Sequence, residues 1–92
     1  MIRLRYFAGI GEQLGTAEET YPQFAGTDLA ASTLADLKEA VIARHGDEVR
    51  ANLDLCAFMA NGQRLIDDAA LAPVRGTAAE LVIDALPPFA GG

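Results

Sequence analysis

The strongest constraint on this chain is a period of two at both of its ends. In residues 2–7, Ile2, Leu4 and Tyr6 fall on one side, and Arg3, Arg5 and Phe7 on the other. Near the other end, Leu81, Ile83 and Ala85 alternate with Val82, Asp84 and Leu86. Such alternation predicts strands with one buried face. Phe7 is the anomaly, an aromatic on the side of two arginines. Between the ends, Leu34, Leu37 and Val41 recur at i, i+3 and i+7, which predicts a helix with one apolar stripe. Two half-buried strands and one amphipathic helix can bury their apolar sides together when the helix lies across a sheet. With 92 residues there is room for one domain. Hydrophobic residues are 51% of the chain, but 18 are alanines, so the expected core is thin.

The remaining segments fill in this frame. Gly9 to Gly15 contains three glycines and reads as a turn or a short helical piece. Thr16 to Tyr21 is a second strand, with Ala17, Glu19 and Tyr21 opposing Thr16, Glu18 and Thr20. Its quick return predicts a hairpin with the first strand, and Pro22 ends it. Residues 23–32 read as a loop around Gly26-Thr27-Asp28. Ser32 or Thr33 caps the main helix, and Asp36 stands at capping-box spacing from Thr33. Ala30 and Ala40 flank the apolar stripe, while Asp36, Lys38 and Glu39 face elsewhere. Gly46 stops the helix.

Asp47 to Asn52 is polar and reads as irregular, with room for a helical turn. Leu55 to Ala60 reads as a buried strand of ambiguous facing. Asn61-Gly62 is a hairpin-turn signal, because that turn needs two positive φ angles. Gln63 to Ile66 is the return strand. Asp67 to Thr77 is a connection, with Leu71 and Val74 as core contacts. The order β, β, α, β, β, β makes an α+β domain. A parallel pairing of the first and last strands would make it a ubiquitin-like β-grasp, with a mixed sheet and one main helix across one face.

Several function classes are disfavoured. Seven Lys+Arg against 13 Asp+Glu give a net charge of −6, which argues against nucleic-acid binding and favours a basic partner surface. A lone cysteine, Cys56, leaves no intramolecular disulfide. No leader or membrane-spanning run is evident, so the expected compartment is the cytoplasm. One His and one Cys do not make the usual zinc ligand sets, and no metal site is expected. No Walker-type phosphate loop occurs, and Gly9-Ile10-Gly11 is only a fragment of a dinucleotide motif. A self-contained enzyme is not expected. Cys56, inside an apolar strand, reads as a small core hydrophobe. His45, in the last helical turn, reads as a partner of the helix dipole. Asp67-Asp68 and Glu18-Glu19 read as solvated, and Met59 as core.

Residues 1–86 read as the folded domain and 87–92 as an extended tail. Pro87 and Pro88 bias the exit to a polyproline form and remove two backbone donors. Phe89 and Ala90 follow. Gly91-Gly92 have no side chains and suit a narrow tunnel. The reactive group of such a tail is the Gly92 carboxylate, which attachment to AMP would open to nucleophiles.

Arg5-Tyr6-Phe7-Ala8, Leu14-Gly15-Thr16, Ser32-Thr33-Leu34-Ala35-Asp36-Leu37, Asn61-Gly62 and Leu86-Pro87-Pro88-Phe89-Ala90-Gly91-Gly92 resemble, in order, the MoaD/ThiS family of ubiquitin-like sulfur carriers. Within it they resemble MoaD, the small subunits of molybdopterin synthase, and the resemblance covers essentially the whole chain. It implies a non-catalytic carrier with no stably bound cofactor. A MoeB-like adenylating enzyme would activate Gly92 with ATP and Mg, and a sulfur donor protein would convert it to a thiocarboxylate. The tail, Pro87 to Gly91, would enter a MoaE-like large subunit and deliver sulfur to cyclic pyranopterin monophosphate. By the same resemblance, Phe7 and Leu86 form an apolar partner surface. The alternation puts both on the outward face, with Arg3 and Arg5 near Asp84. Residues 22–31 are longer than the family's usual connection, and Gly76 to Glu80 departs from its compact turn. The tail chemistry is shared by carriers for thiazole, cysteine or tRNA thiolation and by ubiquitin-like protein modifiers. A plain binding module is the remaining alternative.

Overall fold

The computed structural model describes residues 1–88. Its elements are β1 (Ile2–Tyr6), α1 (Ala8–Leu14), β2 (Glu18–Tyr21), α2 (Gly26–Ala30), α3 (Leu34–His45), a 3₁₀ turn (Asp47–Val49), α4 (Arg50–Leu55), β3 (Ala57–Ala60), β4 (Gln63–Leu65), α5 (Leu71–Arg75) and β5 (Leu81–Leu86). The strands form one sheet in the order β2-β1-β5-β3-β4. β1 and β5 run parallel at its centre, with Leu4 opposite Ile83, and every other pairing is antiparallel.

The alternation decides which face closes. Ile2, Leu4, Leu81, Ile83, Ala85 and Phe58 point to one face and are buried, together with Leu34, Leu37 and Val41 of α3. α3 therefore lies over that face, as its stripe requires. Ile42 joins the same core. The cap of α3 is Thr33: its Oγ1 accepts from the Asp36 N–H, and the Asp36 carboxylate accepts from the Thr33 N–H at 2.9 Å. Ser32 instead donates to the Asp28 carbonyl of α2. Gly46, at φ +104°, ends α3 and donates its N–H to the Ile42 carbonyl at 2.7 Å. Asn61 and Gly62, at φ +53° and +75°, make the tight turn between β3 and β4.

Several expectations are corrected. Residues 26–30 are helical, with Leu29 buried, and are not a loop. Ala30 lies in that separate helix and is exposed, so it does not flank the α3 stripe. The helical turn after Gly46 extends to Leu55, so β3 starts at Ala57. Leu55 projects outward from α4 instead of opening a strand, and Cys56 caps that helix. Cys56 is still buried; its Sγ donates to the Asn52 carbonyl, and burial pushes the thiol pKa up. β3 inserts Phe58 and Ala60, which leaves Met59 half-buried on the opposite face. The 67–77 connection contains α5, which buries Leu71 and packs Val74 on the core.

Two charged residues were placed on the wrong side. Lys38 stands four residues after Leu34, on the stripe itself, and is only 7% exposed. Its stem packs inward while Nζ reaches Asp54 at 2.9 Å and Asp67 at 3.0 Å. Glu19 shares the face of Tyr21 and sits opposite Leu4, so it points toward the core. Its carboxylate accepts from the Tyr6 hydroxyl at 2.7 Å and the Tyr21 hydroxyl at 3.2 Å, and meets His45 Nε2 at 2.7 Å. Arg44 adds a fourth contact at 3.4 Å and stacks on the Tyr21 ring. Burial pushes the Glu19 pKa up, but His45, Tyr6 and Arg44 outweigh it and leave it below the ordinary carboxylate value.

Candidate functional site

The last described residues leave the sheet at the end of β5. Leu86 is the final ladder residue, in register with Ala57 of β3. Pro87 and Pro88 then provide no N–H, so the pairing stops and the chain leaves the end of the central strand. They border a groove of about 240 Å³ with Gly9, Ile10 and Gln13 of α1 and Asn52 and Leu55 of α4. The Asn52 side-chain amide donates to Gln13 Oε1 at 2.7 Å and ties the two helices across the groove. Leu55 is 64% exposed at its rim. Phe89, Ala90, Gly91 and Gly92, the core of the expected tail site, lie outside the described residues.

Phe7 stands beside this exit. β1 ends at Tyr6, so Phe7 is the residue before α1 and not a strand residue. Its N–H still donates to the Ala85 carbonyl at 3.2 Å, which places its backbone alongside Leu86. The Phe7 ring is 39% exposed, with the Arg5 guanidinium over it at 5.7 Å. Leu86 is half-buried. The structure thus brings Phe7, Leu86 and the Pro87-Pro88 exit to one corner of the domain.

Among the described residues, every helix packs on the core side and none on the adjoining face of the sheet. Val82, Asp84, Leu86, Arg5 and Met59 line a shallow surface there. Arg5 donates twice to Asp84, at 2.6 and 2.9 Å. Arg3 does not share that carboxylate; it pairs with Glu18 and Glu80. The charges nearest the exit are therefore mutually paired. Exposed Asp36, Glu39, Asp47 and Glu48 put much of the acidic excess on the helical side.

Sequence reasoning missed Met59, Leu55, Ile10, Gln13 and Asn52 as neighbours of the exit. A helical reading of residues 50–55 would have found Leu55: with Leu53 inward, a residue two positions on, about 200° around the helix, must face out. Among the described residues, no helix is long and apolar enough to cross a membrane.

No protein-family model matches the chain. No curated protein matches it either. Solved structures do. Small archaeal modifier protein 1 (SAMP1) from Haloferax volcanii is 19% identical with a TM-score of 0.68, over 99% of this chain and 98% of that one. A second structure of that protein is 17% identical with a TM-score of 0.65, over 96% and 97% of the two chains. A protein provisionally named molybdopterin converting factor, subunit 1, from Pyrococcus furiosus is 21% identical with a TM-score of 0.66, over 96% and 97%. The parallel β1–β5 centre, the covering helix and these full-length likenesses establish the fold: the chain is a ubiquitin-like β-grasp domain of the kind seen in these small proteins.

Proposed function

We propose that the chain is a sulfur carrier for molybdopterin synthase. The carboxylate of Gly92 attacks the α-phosphate of ATP in a MoeB-like enzyme, with Mg, and pyrophosphate leaves. A sulfur donor protein's persulfide then displaces AMP to give an acyl disulfide, and a thiol cleaves that S–S bond, leaving a thiocarboxylate on Gly92 and a disulfide on the donor side. The tail enters a MoaE-like large subunit and transfers its sulfur to cyclic pyranopterin monophosphate. The observation that carries this reading is the exit itself. The chain leaves the central strand through Pro87-Pro88 at a corner bearing Phe7 and Leu86, and a slim Gly91-Gly92 end follows in sequence. Exposed apolar groups at such a corner suit a partner surface. The likeness to the molybdopterin converting factor subunit supports the same assignment.

The likeness to small archaeal modifier protein 1 favours a second reading, a protein modifier, in which the same activated carboxylate meets a lysine. Carriers for other thiolated products use the same first steps. Intact mass of the protein from its own cells separates the classes. Replacement of one oxygen by sulfur at Gly92 is expected for the carrier; isopeptide bonds from Gly92 to lysines of other proteins, found as branches that begin at Gly76 after tryptic digestion and without thiocarboxylate, would replace it with the modifier. Reconstitution of the thiocarboxylate form with a synthase large subunit and cyclic pyranopterin monophosphate is expected to yield a dithiolene. Deleting Gly92 is expected to abolish transfer and leave the thermal midpoint unchanged.

A further inference from the structure

The 92 residues contain six arginines and one lysine, Lys38. That imbalance matters for a chain read as carrying an activated carboxylate. An acyl adenylate is attacked by any accessible neutral amine, which forms an amide, expels AMP and gives up a proton. Arginine is a poor acceptor in such a reaction, because its guanidinium stays protonated. Lysine is the side chain that must be kept away.

Lys38 is kept away by three elements. Its stem is held on the buried stripe of α3, and its Nζ lies 5.6 Å from the centre of the Phe58 ring. Asp54 near the end of α4 and Asp67 after β4 close on the ammonium from two sides, at 2.9 and 3.0 Å. Asp67 is itself anchored: its carbonyl accepts the Ala35 N–H at 2.9 Å, which ties the β4–α5 connection to the first turn of α3. Burial favours a neutral amine, but the two carboxylates outweigh it and hold the Lys38 pKa above its ordinary value. The ammonium has no lone pair to offer, and its side chain is only 9% exposed.

We infer that the chain is insulated against side-chain acylation, by its own activated carboxylate or by that of another copy, because its single lysine is buried between Asp54 and Asp67. Asp54 and Asp67 are positioning residues in this device. Its side chains then do not act as acceptors, so lysine-linked chains of copies do not form. The meaning of this inference rests on the proposed function; its test does not.

The test treats the folded full chain with the N-hydroxysuccinimidyl ester of acetate and follows each site by mass spectrometry. The Gln63→Lys variant supplies an exposed reference lysine in the same molecule. Lys38 is expected to react at least about tenfold more slowly than the reference, and at an equal rate once urea unfolds the chain. In Asp67→Asn, which keeps the Asp54 pair, Lys38 labelling is expected to rise at least about threefold, with the reference rate and the circular dichroism unchanged. Lys38 labelling within about twofold of the reference in the folded protein would overturn the inference. An unchanged rate in Asp67→Asn would overturn the role of that carboxylate. Neither arm needs an activating enzyme, so a failure here is distinct from a missing thiocarboxylate.

Discussion

Leu4 and Arg5 are neighbours in β1 and live in different surroundings. Leu4 is fully buried beneath α3, in a face that the helical layer closes. Arg5 stands on the other face, paired with Asp84 and near the Phe7 ring, with no helix above it among the described residues. One residue of alternation separates a surface that holds the fold from a surface open to partners. The exit of the tail lies at the open face's edge, where Leu86 ends β5. Under the proposed function, stability and contact are divided between the two faces of one sheet, so they can be altered separately.

Substitutions can break or sharpen that division. Leu4→Ala removes buried volume from the closed face, and urea unfolding is expected to show a loss of about 2–5 kcal/mol. Glu19→Gln keeps the shape but removes the charge from a cluster at the border of the closed face, with an expected cost of about 1–3 kcal/mol at neutral pH. The sign with pH follows from the lowered Glu19 pKa. The stabilisation is complete above the unfolded value, near 4.3, and is lost as pH falls through the folded value. Midpoints measured between neutral and strongly acidic pH are expected to lose this component in the native chain and to lack it in Glu19→Gln.

On the open face, Phe7→Ser is expected to shift stability by less than about 0.5 kcal/mol while weakening a synthase large subunit by about tenfold or more, read by calorimetry. An equal loss of stability and affinity would erase the proposed division. The smallest effect is expected for Arg5→Ala. An exposed ion pair contributes little, so the urea midpoint is expected to stay in place at low and high salt alike.

Most of the framework was legible in the residues. The alternation in Ile2–Tyr6 and Leu81–Leu86 named the buried face correctly, Thr33 and Asp36 marked the helix start, and Asn61-Gly62 marked the hairpin. Three of the misses share a cause. Gly26–Ala30, Arg50–Leu55 and Leu71–Arg75 are helices of five or six residues. Segments that short have almost no intrinsic helical stability and exist because the core holds their few buried apolar side chains, Leu29, Leu53 and Leu71. Glu19 and Lys38 were read by charge alone, although strand parity put Glu19 beside Tyr21 and helical spacing put Lys38 beside Leu34. Their burial becomes tolerable only when partners distant in sequence, His45 for one and Asp54 and Asp67 for the other, arrive to meet them.

At the exit, the residues alone specified where the last strand must stop, because two prolines cannot continue a ladder. They also place Gly91 and Gly92 four and five residues after Pro87 in sequence. Only the folded domain decided what surrounds that point. α1 and α4 meet there, more than thirty residues apart in the chain, and bring Gln13 to Asn52 and Ile10 and Leu55 to the two prolines. Periodicity is a local property that each segment carries by itself. Adjacency of segments is settled by which apolar faces find one another when the core closes, and no single segment contains that information.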